Sequence, residues 1–176
     1  ADQRIVDSIY VGDEPAHVAV HPAGELAFVS LNTTAEIAVL DLNLNTVVAL
    51  WPSVRDAAAF ALNADGSRLV VLSHRSGRPE RTPYDSDDQT DEMDAVLMDT
   101  ATGEIVQAYF DIGGTNNSVV FAEDGASFYM TTILGDNAKK LTSGTAFEHR
   151  VRRIDVNTGD VLADADLSRQ DSSQGV

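Results

Sequence analysis

From Pro15 to Trp51 the chain alternates short apolar runs with turn-forming residues. His17, Ala19 and His21 alternate with Val18 and Val20. Leu26-Ala27-Phe28-Val29 and Ile37-Ala38-Val39-Leu40 are compact apolar runs, and Thr46-Val47-Val48-Ala49-Leu50 is β-branched and ends at Trp51-Pro52. Runs this short, bounded by Gly, Pro, Asn and Asp, predict strands and not helices. His21-Pro22-Ala23-Gly24 supplies a turn between the first two strands, with Gly free to take positive φ. Asp41-Leu42-Asn43-Leu44-Asn45-Thr46, rich in side chains that cap tight turns, lies between the last two.

The pattern recurs twice. Asn63-Ala64-Asp65-Gly66 and Ala122-Glu123-Asp124-Gly125 take the place of His21 to Gly24, and Val70-Val71-Leu72-Ser73 and Tyr129-Met130-Thr131-Thr132 match Phe28-Val29-Ser30-Leu31. Met98-Asp99 and Ile154-Asp155 match Leu40-Asp41, and each leads into a nearly identical Thr-Gly turn, at Thr102-Gly103 and Thr158-Gly159. Four antiparallel strands repeated at roughly 40–45 residues are the signature of a propeller blade. The expected fold is therefore all-β: blades of four antiparallel strands, about three of them, with one extra strand at the N-terminus. Strands are expected near 16–21, 26–31, 36–41 and 46–51; near 57–62, 68–73, 94–99 and 104–110; and near 117–122, 126–132, 150–155 and 160–166. Val18, Val20, Phe28, Val39, Leu62, Val70, Val96, Phe121 and Ile154 are the expected core between blade faces.

The stretch G-D-E-P-A-H-V-A-V-H-P-A-G-E-L-A-F-V-S-L, followed by I-A-V-L-D-L-N-L-N-T-V-V, resembles the YVTN-type β-propeller repeats. That resemblance covers nearly the whole chain. It implies a surface or periplasmic protein, hence an extracytoplasmic location, or a propeller standing next to a cytochrome domain in a redox enzyme. The second-strand signature departs from the family's, reading FVSL, VVLS and YMTT. A propeller hosts many activities, so the resemblance is specific for fold and weak for function.

The organisation is then a single propeller region over 1–176. Residues 1–11 are expected to hold the outer strand of a preceding blade (Ile5 to Val11), and blade one spans 15–51. Blade two spans 56–110 with an insertion at 74–93, blade three spans 116–167 with an insertion at 133–149, and 168–176 is a tail. Propellers close with about four to eight blades. Three predict a partial ring, either a piece of a longer protein or part of a ring completed by further blades or another chain. Exposed edges would otherwise be a pairing hazard.

Composition narrows the partners. The net charge is −16, which argues against nucleic acid, for which a basic patch is expected. It also disfavours anionic membrane surfaces, and no apolar stretch reaches the length of a membrane span. The acidity itself fits solubility or a salty environment. With no cysteine, these residues carry no disulfide, thiol nucleophile, iron–sulfur ligand or covalent haem attachment.

Two insertions break the repeat. Gly24 and Asp41 are 17 positions apart, Gly66 and Asp99 are 33 apart, and Gly125 and Asp155 are 30 apart. Both insertions join second to third strands, so they emerge on the face that also carries the blade-to-blade connections at Gly12–Pro15, Pro52–Asp56 and Ile112–Asn116. Long loops on a rigid scaffold are where function usually sits.

The first insertion opens basic, with Arg75, Arg78 and Arg81, and closes acidic, with Asp85, Asp87, Asp88, Asp91, Glu92 and Asp94. Such oxygen-rich spacing suits calcium, which takes six to eight oxygen ligands, with Asp85, Asp87, Asp88, Asp91 and Asp94 as candidates. The EF-hand pattern is absent, and a solvated acidic loop paired with its own arginines is the blander alternative. The second insertion carries Lys139, Lys140 and a Ser-Gly-Thr segment without the Gly-Lys-Ser/Thr order of a phosphate loop. Phe147 is placed to pack it onto the blade.

His17, His74 and His149 all fall near the elaborated face, where they would bind a metal or serve acid–base chemistry if they converged. His21 falls on the opposite face. Arg75 and Arg78 are candidates for an anion or partner contact. No serine elbow or selectable carboxylate pair marks a catalytic site. The sequence thus points to a non-catalytic module that binds a protein or ligand through the face carrying the two long loops. The alternative is the scaffold portion of a redox enzyme whose haem or metal lies in another domain.

Overall fold

The structure, a computed structural model, describes residues 4–5, 7–74, 93–134 and 148–167. Among the described residues twelve strands form three four-stranded antiparallel sheets in chain order. Blade one holds β1 (Pro15–Val20), β2 (Leu26–Leu31), β3 (Glu36–Asp41) and β4 (Thr46–Pro52). Blade two holds β5 (Ala57–Leu62), β6 (Arg68–Ser73), β7 (Ala95–Asp99) and β8 (Ile105–Tyr109). Blade three holds β9 (Thr115–Phe121), β10 (Ser127–Leu134), β11 (Glu148–Asp155) and β12 (Val161–Asp166). The first strand of each blade is innermost, and β5 packs beside both β1 and β9. The result is an open arc of three propeller blades.

The repeat extends to irregularities. Every inner pair shifts register once, between Pro15 and Val18, between Ala57 and Ala59, and between Thr131 and Thr132. Every outer pair also shifts once, between Val39 and Leu40, Leu97 and Met98, and Arg153 and Ile154. A bulge at a fixed place sharpens local twist, which lets each blade fan against the next.

Two junctions contain most of the core. Phe28, Ile37 and Val39 of blade one meet Leu69, Val71, Val96 and Met98 of blade two. Val70, Leu72, Ala95 and Leu97 on the other face of blade two meet Phe128, Met130 and Ile154 of blade three. Blade two's central strands are thus buried on both faces and read as unbroken apolar runs, RLVVLS and AVLMD.

An aromatic residue near the end of the outer strand of blades one and two locks each junction. Trp51 covers Gly103 in blade two's last turn, where an added Cβ would lie 2.4 Å from the indole. Tyr109 covers Gly159 in the matching turn of blade three, at 3.2 Å, and its hydroxyl donates to the Val156 carbonyl at 2.6 Å. Both glycines take positive φ, 77° and 78°.

One expectation is corrected. Val18 and Val20 are not core: they are 69% and 55% exposed. They pair with Val29 and Ala27 on the face of blade one turned away from blade two. On that face Ile9 and Val11 pack against the cluster of Ala27, Val29, Leu31, Ala38 and Leu40, but not over β1. The described part of 4–11 pairs with none of the strands of these three sheets. In addition, β10 and β11 run further than expected. The pairs Ile133↔His149 and Leu134↔Glu148 extend the hairpin into the second insertion.

Candidate functional site: a cleft at the first blade junction

The described ends of the second-to-third-strand loops and the blade connections share one face, and hydrogen bonds tie them together. Asn32 N donates to Glu14 O at 3.2 Å, His74 N to Asp56 O at 2.7 Å, and Ser53 N to Ala35 O at 2.8 Å. Glu14 and Asp56, the residues just before β1 and β5, both take positive φ, 49° and 47°. Non-glycine residues rarely hold that conformation unless their surroundings enforce it.

On this face, between blades one and two, lies an open cleft of about 340 Å³ lined by His17, Asn32, Asp56, Ala57, Ala58 and His74. Its volume is within the range of small-molecule sites. His17 is held in the bulge of β1, where its N–H donates to Ser30 Oγ at 3.1 Å. Its ring meets Phe60 edge-on, with centroids 6.0 Å apart. His74 follows β6 directly, and its Nδ1 lies 3.3 Å from the Asn116 carbonyl, a hydrogen bond when that nitrogen carries the proton. Asn32 is half-buried, and its Oδ1 is shut off from solvent without a donor.

The second junction shows why the first is open. Asn116 pairs with Thr132 as Ala57 pairs with Ser73, so Asn116 and Ala57 hold the same place in successive blades. Asn116 is fully buried, and its Nδ2 donates across the junction to the Ser73 carbonyl at 2.9 Å. Ala57 has no side chain to make that bridge, and neither does Ala58, which stands where blade three has Asn117. The two alanines leave the cleft.

The structure brings His17 and His74 onto one cleft. His149 stands apart: it pairs with Ile133 in blade three, and its carbonyl accepts from Leu167 N at 2.6 Å. The three histidines therefore do not converge. Among the described residues no three His, Cys, Asp or Glu side chains are grouped as metal ligands. Arg75, Arg78, Asp85, Asp87, Asp88 and Asp91 lie outside the described residues, as does Phe147.

Asp94 is described, and it is buried at the start of blade two's third strand. Its Oδ2 accepts from Ile112 N at 2.7 Å and Gly113 N at 3.0 Å, bracing the connection into blade three. Asn32, Asp56, Ala57 and Ala58 were not singled out from sequence. The available signal was the Ala-Ala pair aligned with Asn-Asn once the repeats are superposed.

No family model matches the chain, and no curated protein matches it. Among solved structures, 654 chains match, so the fold is widely shared and carries no function by itself. One of them, titled Kuenenia stuttgartiensis Hydrazine Synthase, is 16% identical with a TM-score of 0.72. The alignment covers 94% of this chain and 40% of that one. At this identity the likeness speaks for the fold.

Proposed function

We propose that this chain is a non-catalytic part of a β-propeller that binds a ligand or partner protein through its loop-bearing face. The observation that carries the reading is the cleft at the first junction, polar and open on that face. The YVTN resemblance supports a place in a larger surface or periplasmic protein. So do the open outer faces of blades one and three, which further blades would cover, and the 40% coverage of the similar structure. A calcium site built from Asp85, Asp87, Asp88 and Asp91 remains part of the reading. Asp94 is poorly suited to it, because its Oδ2 is already held by two backbone N–H groups.

A second reading is the scaffold portion of a redox enzyme whose haem or metal lies in another domain. The likeness to a chain of hydrazine synthase favours it. A Cys-x-x-Cys-His motif in an adjoining part of the gene would support it.

The test is an amide chemical-shift map of the isotopically labelled chain against a library of cationic, anionic and neutral fragments that includes calcium ion. Binders are expected to perturb residues 14–17, 32, 56–58 and 74 together. Binders that gather on the opposite turns, around His21 and Gly66, would overturn the assignment of the face.

A further inference from the structure

We infer that the first-junction cleft selects an organic cation, a primary ammonium or guanidinium group, whose N–H donors take the place that the Asn116 amide fills in the second junction. The inference rests on the loop-face reading above and names the chemistry of its site.

Three observations converge. First, in the second junction an N–H donor bridges the blades, from Asn116 Nδ2 to the Ser73 carbonyl. In the first, Leu31 stands at the position of Ser73, and Ala57 offers no donor to it. A group seated there in place of the Asn116 amide would present N–H donors, as that amide does. Second, the cleft's side chains are acceptors. Asp56 contributes a carboxylate, Asn32 an amide oxygen without a donor, and His17 and His74 one acceptor nitrogen each when neutral. The Asn32 amide is terminal and its last torsion is soft, so a rotation on binding would bring its buried oxygen to a donor in the cleft. Third, among the described residues no Lys or Arg lines the cleft, and the chain carries a net charge of −16, which draws in a cation and repels an anion. A bare divalent metal fits less well, because Asp56, His17 and His74 do not form a three-ligand group among the described residues.

Such a group comes either on a small molecule or at the tip of a Lys or Arg side chain of a partner, and one experiment separates the two. Agmatine and the peptide Gly-Arg-Gly are each titrated into the labelled chain, with n-butanol and acetate as neutral and anionic controls. Saturable shifts at residues 32, 56–58 and 74 are expected with the cations only. Tighter agmatine assigns a free ligand, and a tighter peptide assigns a partner side chain.

The variant Ala57→Asn transplants the plug of the second junction and is expected to weaken cation binding at least tenfold. Asp56→Asn keeps the shape and removes the charge, and it should weaken binding several-fold, so the inference stays testable if the first variant folds poorly. Cation binding unchanged in both variants would overturn it. Equal binding of n-butanol or acetate in the cleft would also overturn it, while leaving the loop-face reading standing. Fragments confined to the opposite face would remove that reading instead.

Discussion

The Tyr109 hydroxyl shows how much one atom contributes to this architecture. It crosses a blade junction to the Val156 carbonyl, and its ring lies against Gly159. Tyr109→Phe leaves that carbonyl without its donor, and the expected loss is about 1–2 kcal/mol, read as a lower urea midpoint with unchanged slope. Burial, followed by the nearby Asp155 charge, raises the Tyr109 pKa well above its ordinary 10.0. A raised folded-state pKa contributes stability that is complete below the unfolded value and lost as pH rises beyond it. Stability should therefore fall above about pH 10, and less so in the Phe variant. Gly103→Ala should cost more than removal of the hydroxyl, about 1–3 kcal/mol or beyond, because its Cβ would enter the Trp51 ring and its φ is 77°.

At the scale of the element, each outer hairpin is tied by an aspartate at the end of the third strand. Asp41 Oδ1 accepts from the N–H groups of Asn43 and Leu44, Asp99 Oδ1 from Ala101 and Thr102, and Asp155 Oδ1 from Asn157 and Thr158. For Asp99 the Ala101 N–H, and for Asp155 the Thr158 N–H, is the main cause holding the carboxyl below its ordinary 3.8. Asp65 is lowered chiefly by the Ser67 hydroxyl in the inner hairpin turn of blade two.

A depressed folded-state pKa contributes stability that is present above the unfolded value and lost as pH falls through the folded one. The denaturation midpoint should accordingly drop as pH falls below about 4, and Asp99→Asn with Asp155→Asn should flatten that drop. The turns of blades two and three were legible from sequence because the same Asp–Thr–Gly spacing recurs, whereas blade one holds Asn45, at φ 51°, in place of the glycine. The extended β10–β11 hairpin was not. Its added pairs use Ile133, Leu134, Glu148 and His149, which carry no turn signal and read as part of the loop.

Across the whole molecule, what remains open is sheet faces more than ladder edges. Val18, Val20 and Leu50 are exposed on the outer face of blade one, and Val120 and Tyr129 on that of blade three. Alternation along β1 marks Val18 and Val20 as apolar, but only the number of neighbouring blades decides whether an apolar face is covered. That is why the strand was legible and its burial was not. The cleft was harder still. Its histidines are visible in the sequence, but the space itself is made by Ala57 and Ala58, whose signal is a side chain that blade three has and blade two lacks.

Function at a blade junction requires that the blades stack as described. The most direct measurement is the proton shift of the Gly103 and Gly159 Hα atoms, with their nuclear Overhauser contacts to Trp51 and Tyr109. Stacked blades place Gly103 against the Trp51 ring and Gly159 beside Tyr109 Cδ1, so one Gly103 Hα should lie well upfield of the ordinary glycine range and both glycines should show contacts to their rings. Ordinary glycine shifts without ring contacts would mean that the three sheets do not share these junctions, and the cleft between the first two would go with them.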